Sequence, residues 1–203
     1  TMGSDAAEAR DDAGPARTVR LTANFAMYAH EVTVEMYAAC VEDGACPEPG
    51  FEIRGSAEAS ARANMAHEAC NYGAPGRASH PMNCVNVHGA EAYCAWAGAD
   101  LPTEAEWERA ARGSDGRSYP WTDTPLSGDA LSCDRAVSAS CASPTTFEVA
   151  ERPDGRSPFG LHDMAGNVAE WVADTYEAGA YTMLPTDDPL SDTGSSRRVV
   201  RGG

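Results

Sequence analysis

Basic residues are scarce in this sequence. Lysine and arginine together number 15 against 31 aspartates and glutamates, so the formal net charge is −16 at pH 7. A surface of this charge repels the phosphate backbone of nucleic acids, and we therefore expect no nucleic-acid partner. The acidity is compatible with cation binding, with recognition of basic peptides, or simply with a well-solvated surface.

Long apolar runs are also missing. No stretch approaches the roughly 18 to 20 residues that a membrane-spanning helix needs, and no signal peptide is recognisable, so no membrane insertion is expected. The sequence likewise lacks a nucleophile elbow, a P-loop and a dinucleotide-binding fingerprint. Its histidines are scattered without metal-ligand spacing, which favours surface or turn positions for His30, His67, His80, His88 and His162.

Paired C-x-x-C motifs are absent from the seven cysteines, which favours disulfides over a structural zinc site. Six of them form three candidate pairs: Cys40 with Cys46, Cys70 with Cys84, and Cys133 with Cys141. The first and the last pair each close a short loop, and such pairing favours an oxidising compartment, secreted or periplasmic. Cys94 is left without a partner. A buried free thiol on an apolar helix face is at least as good an explanation of this cysteine as a role in a disulfide.

The 203 residues suit a single domain, and 19 glycines and 13 prolines without a period favour short elements joined by many turns. Residues 1–17 are small, polar and aperiodic, so we predict a disordered leader or an expression scar there. The domain itself is predicted to span residues 18–203. Residues 47–80 are predicted to form a covering loop.

Two segments show a strand pattern. Alternation over residues 18–34 predicts the first strands, with Phe25 and Met27 facing inward. The final segment, residues 196–203, is predicted to be a strand that stops in mid-course.

Three helices are predicted from their end signals. Thr33 can cap the first, whose apolar face repeats at helical spacing until Gly44 ends it. The second covers residues 89–97 and turns Cys94 toward the core. The third has the strongest local signal, a capping box at its start and a buried face: Thr103 and Glu106 form the box, Trp107, Ala110 and Ala111 form the face, and Gly113 ends the helix.

Five blocks now follow one another: HEVTVEMYAAC, VNVHGAEAYCAWAGADLPTEAEWERAARG, YPW, FGLHDMAGNVAEWVAD and RVVRGG. In this order, over about residues 25–203, they resemble the formylglycine-generating enzyme (sulfatase-modifying factor) family. Its relatives include ergothioneine-synthase-type domains and lectin-like binding proteins. The resemblance implies an α+β domain with an irregular C-type-lectin-like fold: a small twisted antiparallel sheet, about three helices and many loops.

The resemblance also implies a calcium site in DMAGNVAE. The matching positions are the side chains of Asp163 and Glu170 and the carbonyls of Gly166 and Val168, with Asn167 expected to brace the loop. Carboxylates and main-chain carbonyls in one tight loop are ligands that calcium prefers. The residues alone leave another interpretation open, in which Asp163 caps a turn and Glu170 forms an ordinary ion pair.

A second calcium site of the family is not predicted here. Asp134 matches one of its ligands, but the aspartate expected near residue 141 is replaced.

Copper is not expected on this chain by itself. Enzymes of the family oxidise a substrate cysteine with oxygen and Cu(I), which two cysteine thiolates hold. Those cysteines lie after the RGG motif, beyond Gly203, and none of the seven present matches their motif. Cys94 matches a family cysteine that can pair near the C-terminus. The active-site groove of the family is altered here as well. Ala169 stands where the family commonly has a tryptophan, and His88 stands where it usually has an aromatic residue.

These observations support two main hypotheses. In the first, the domain is a calcium-braced, noncatalytic module that recognises a protein or peptide ligand. In the second, it is the larger part of a copper-dependent formylglycine-generating or related oxidase, completed by a C-terminal segment that also brings the copper ligands. A third, weaker hypothesis is a purely structural domain.

Overall fold

The computed structural model describes residues 1–5, 13–49, 69–121, 133–137, 141 and 145–203. This part contains four helices: α1 (Val34–Glu42), α2 (Val87–Trp96), α3 (Glu104–Arg112) and the single turn α4 (Ala180–Met183). Strands β1 (Ala169–Thr175) and β2 (Arg198–Gly202) pair in antiparallel fashion, with Ala169 opposite Gly202. The domain is therefore a small mixed α and β structure. Most of the predicted covering loop, together with His67, lies outside the described residues.

The three predicted helices are confirmed, and their caps explain where they begin. The side chain of Thr33 accepts a hydrogen bond from the amide of Met36 at the start of α1. Helix α2 begins two residues earlier than predicted, because Asn86 caps it by accepting from Gly89. A side-chain oxygen at the N-cap satisfies an amide that has no partner within the helix.

Two apolar clusters form the main core. One joins α1 to α2 through Tyr37, Cys40 and Tyr93. The other joins α3 to β1, since Trp107 and Val172 belong to it. Residues of both clusters line the groove described below.

The predicted strands at residues 18–34 are wrong. This segment makes only isolated bridges, Arg20 with Asp187 and Thr33 with Pro81, because its neighbours are short loop segments that cannot extend a ladder. Phe25 is 38% exposed, whereas Met27 is partly buried against the α3–β1 cluster. The final strand is present as β2.

The N-terminal stretch differs from the expected disordered leader wherever the structure describes it. Met2 is 4% exposed and packs in a small cluster with Ala105 and Tyr181. The amide of Gly3 donates to Glu108 Oε1 at 2.8 Å. An apolar side chain buried in this way is favoured by about 1.5 to 3 kcal/mol, which helps to keep the segment on the domain.

The six candidate cysteines form the expected pairs, and Cys94 is free. Three disulfides are consistent with an oxidising compartment. Across the described ranges, no helix combines the length and the apolar character needed to cross a membrane.

The capping box of α3 gives a first prediction. Thr103 Oγ1 accepts from the amide of Glu106, and Glu106 Oε2 accepts from the amide of Thr103. We expect Thr103→Ala to lower the free energy of unfolding by about 1 kcal/mol in urea denaturation. Thr18→Ala is the control, because Thr18 is exposed and caps no helix. Equal losses in the two variants would contradict the role of the cap.

Candidate functional site

A groove of about 1140 Å³ lies in the described part of the protein. Aromatic side chains line it, among them Phe25, Tyr28, Tyr93 and Trp171. The face of α2 that was predicted to meet the core also lines this groove: Tyr93 belongs to the α1–α2 cluster as well, whereas Cys94 is half-buried. A concave surface of this size, lined by aromatic residues and a few polar groups, is typical of a ligand-binding site.

The loop that precedes β1 adopts an unusual backbone conformation. Asp163, Gly166 and Asn167 have φ values of 56°, 93° and 64°, in the left-handed region. Glycine is required at 166, because a Cβ there would lie 2.2 Å from the carbonyl oxygen of Val137. Non-glycine residues in this region cost about 1 to 3 kcal/mol each and persist where surrounding contacts hold them. Such strain is concentrated at functional sites.

Asn167 supplies many of those contacts, as the sequence indicated. Its amide donates to Val137 O at 2.8 Å, and its Oδ1 accepts from the amide of Phe147 at 3.0 Å. Its Nδ2 donates to Glu31 Oε2 at 2.9 Å. Three segments that are distant in sequence are thereby fixed to the loop.

Glu170 is held by α3, the helix with the strongest sequence signal. Trp107 Nε1 donates to Glu170 Oε2 at 3.1 Å, while Oε1 is sealed from solvent without a hydrogen-bond donor in the described structure. Burial raises the pKa of Glu170 to about 7, and the nearby charge of Asp163 adds to the effect. A buried carboxylate oxygen without a partner favours a positive charge beside it.

Glu31 is a member of this site that the sequence analysis missed. It is 9% exposed, and burial, with the charges of Asp163 and Glu170, raises its pKa to about 9. The three carboxylates therefore share one poorly solvated region. No local signal identifies it, because its contact with Asn167 spans 136 residues of sequence.

Asp163 and Glu170, the two predicted carboxylate ligands of calcium, lie in this poorly solvated region. Asp163 Oδ2 accepts from the amide of Ala150 at 2.6 Å, and burial raises the pKa of Asp163. No group of three or more His, Cys, Asp or Glu side chains in the described ranges is gathered tightly enough to hold a metal by itself. The predicted set needs only two carboxylates, Asp163 and Glu170, with the carbonyls of Gly166 and Val168. The unpartnered Glu170 Oε1 suits such an ion.

A two-thiolate copper centre does not fit the cysteines of this chain. Six of the seven cysteines form disulfides, so Cys94 is the one cysteine with a free thiol. Burial, with the charges of Asp100 and Glu91, raises its pKa and disfavours the thiolate.

The remaining residues singled out in the sequence are dispersed. Asp134 is exposed, and the segments on either side of residue 141 lie outside the described residues. His88 is exposed on α2, 3.3 Å from Glu91, whereas Ala169 lines the groove. His30 and His162 also line it, and burial lowers the pKa of His162.

Comparison with known proteins shows which family this chain resembles. The family model described as "Sulfatase-modifying factor enzyme 1-like domain" matches residues 1–203, including the stretch that the sequence analysis set aside. The chain is 40% identical over 137 residues to a formylglycine-generating enzyme of Streptomyces coelicolor, covering 63% of this chain and 43% of that protein. It is 37% identical over 113 residues to "Inactive C-alpha-formylglycine-generating enzyme 2" of Mus musculus, covering 51% and 35%.

A solved structure shows the same relationship. PvdO from Pseudomonas aeruginosa superposes with a TM-score of 0.73 at 25% identity, covering 99% of this chain and 77% of that one. This chain spans less than half the length of the curated relatives just named. The match over all 203 residues shows that the chain belongs to the sulfatase-modifying factor, or formylglycine-generating enzyme, domain family.

Proposed function

We propose that this domain is a calcium-braced, noncatalytic recognition module with a C-type-lectin-like scaffold, and that it binds a peptide in the groove. The observation that carries the proposal is the position of the 163–170 loop. Asn167, Val168 and Glu170 line the groove, so an ion in this loop would stiffen the ligand-binding surface itself. Calcium would be held by Asp163, Gly166, Val168 and Glu170, and it would supply charge neutralisation and rigidity.

The charge of the groove favours a basic peptide. Four carboxylates line it: Glu31, Asp100, Glu106 and Glu170. Glu31 and Glu170 would lie beside the calcium ion, so Asp100 and Glu106 are the charges left to attract a peptide, and the sequence contains no lysine to offset them. None of the described lining residues is an arginine. Aromatic walls with an excess of negative charge attract a cationic side chain, both by Coulombic steering and by contact with the ring faces.

The presence of a single free thiol supports the noncatalytic part of the proposal. Oxidation of a cysteine at a two-thiolate Cu(I) centre needs a thiolate pair, and Cys94 is the one free thiol that this chain offers. The relative in Mus musculus whose printed name calls it inactive shows that the family includes such members.

The second candidate function is that of a copper-dependent oxidase to which this chain contributes the larger part. Two observations favour it: the similarity to a named formylglycine-generating enzyme, and the position of Cys94 and Gly203 in the wall of one groove. In that case the copper thiolates come from a complementing C-terminal segment. The parent reading frame beyond Gly203 discriminates the two, because paired cysteines there favour the oxidase.

Peptide binding tests the proposal directly. The probes are a fluorescein-labelled Gly/Ser/Tyr peptide carrying several arginines and a matched peptide with glutamates in their place. We expect the arginine peptide to bind about tenfold more tightly or better in fluorescence anisotropy, and Asp100→Asn to weaken it. Glu35→Gln removes one charge outside the groove and is expected to change little.

Two results would argue against the module. One is equal binding of the arginine and glutamate peptides in calcium. The other is turnover: conversion of a cysteine-containing peptide by this chain with Cu(I) and oxygen would refute the noncatalytic assignment.

A further inference from the structure

Glu31 lies just before α1, and its carboxylate accepts a hydrogen bond from the 163–170 loop. Asn167 Nδ2 donates to Oε2 at 2.9 Å across 136 residues of sequence. The other oxygen, Oε1, is sealed from solvent and has no hydrogen-bond donor in the described structure.

Within the part of the chain that the structure describes, no positive side chain forms an ion pair with Glu31. The charged groups that act on it most are Asp163 and Glu170, which carry the same sign. A carboxylate that is nine-tenths buried beside two like charges is unfavourable unless a cation shares the region.

We propose that Glu31 is the positioning residue of the calcium site. Its carboxylate fixes the Asn167 side chain, so that the loop carbonyls face the ion, and the ion balances its charge. This inference rests on the calcium site of the proposed function. It also gives the site a consequence for ligand binding, because Glu31 and the loop residues Asn167 and Glu170 all line the groove.

Calcium titration calorimetry on chelator-stripped protein tests this inference. We expect Glu31→Gln to weaken calcium binding about 10- to 100-fold, the usual effect of removing a group that orients metal ligands. Glu31→Asp keeps the charge and is expected to retain more affinity than Glu31→Gln. Glu35→Gln, four residues away on the exposed side of α1, is the matched control and is expected to bind like wild type.

The stability of the metal-free protein separates positioning from a purely structural role. Glutamine keeps an acceptor for the loop and adds no buried charge, so metal-free Glu31→Gln should melt no lower than metal-free wild type. Wild-type calcium affinity in Glu31→Gln would overturn the inference. Clear destabilisation or misfolding of the metal-free variant would also overturn it, because the carboxylate would then stabilise the fold without an ion. Absence of calcium binding by wild type would instead refute the calcium site itself.

Discussion

Glu170→Gln is expected to abolish the stabilisation of this domain by calcium. A ligand that binds only the folded state stabilises it by about 2.7 kcal/mol at a concentration 100 times its dissociation constant. Wild type should therefore melt several degrees higher in calcium than in chelator. Glutamine can still accept from Trp107 Nε1, but it lacks the charge that the ion needs. Differential scanning calorimetry in calcium and in chelator measures the difference.

The control for this experiment is Glu177→Gln. Glu177 is an exposed acid shortly after β1 and outside the groove, so this variant should keep the full calcium-dependent shift. A shift in Glu170→Gln as large as that of wild type would show that calcium acts elsewhere on the protein.

Gly166→Ala should destabilise the fold by about 3 kcal/mol or more, a size of effect confined to a few mechanisms such as backbone strain and steric overlap. Alanine at φ 93° is strained, and its Cβ would lie 2.2 Å from Val137 O and 2.9 Å from Val137 N. Both neighbours are backbone atoms and cannot rotate away. The Val137 carbonyl is also the acceptor for Asn167 N, so relief of the clash breaks that hydrogen bond. Urea denaturation gives the loss.

The variant Gly160→Ala separates the effect of backbone strain from the effect of steric overlap. Gly160 has a similar φ of 83°, but a Cβ there would meet nothing within 4 Å. It should cost about 1 kcal/mol, the low end for a non-glycine residue in this region. If both variants lose the same stability, the close packing of Gly166 on Val137 does not matter, and our account of the loop is wrong.

The helices were predictable because their signals are local. Thr103 and Glu106 lie three residues apart, and this spacing alone specifies the start of α3. Asp163 and Glu170 also lie in one short segment, but their spacing alone fits a turn cap and an ion pair equally well. The family resemblance is what predicts them as calcium ligands, and the binding of calcium by the loop stays a prediction.

The features that the sequence did not predict depend on contacts between distant segments. Glu31 reaches Asn167 across 136 residues, so no window around either residue contains the pair. Met2 is buried because Tyr181 and Ala105 come to it, although its neighbours in sequence are small and polar. Residues 18–34 alternate like a strand, but the loops beside them offer single bridges and no ladder. In each case tertiary packing overrides the local pattern.

The central claim is that the 163–170 loop binds calcium beneath a peptide-binding groove. Crystals grown in saturating calcium, with anomalous diffraction recorded at long wavelength, test this most directly. We expect a peak about 2.3 to 2.6 Å from the carboxylates of Asp163 and Glu170 and from the carbonyls of Gly166 and Val168. A map that shows this loop well ordered but without an anomalous peak would contradict the claim.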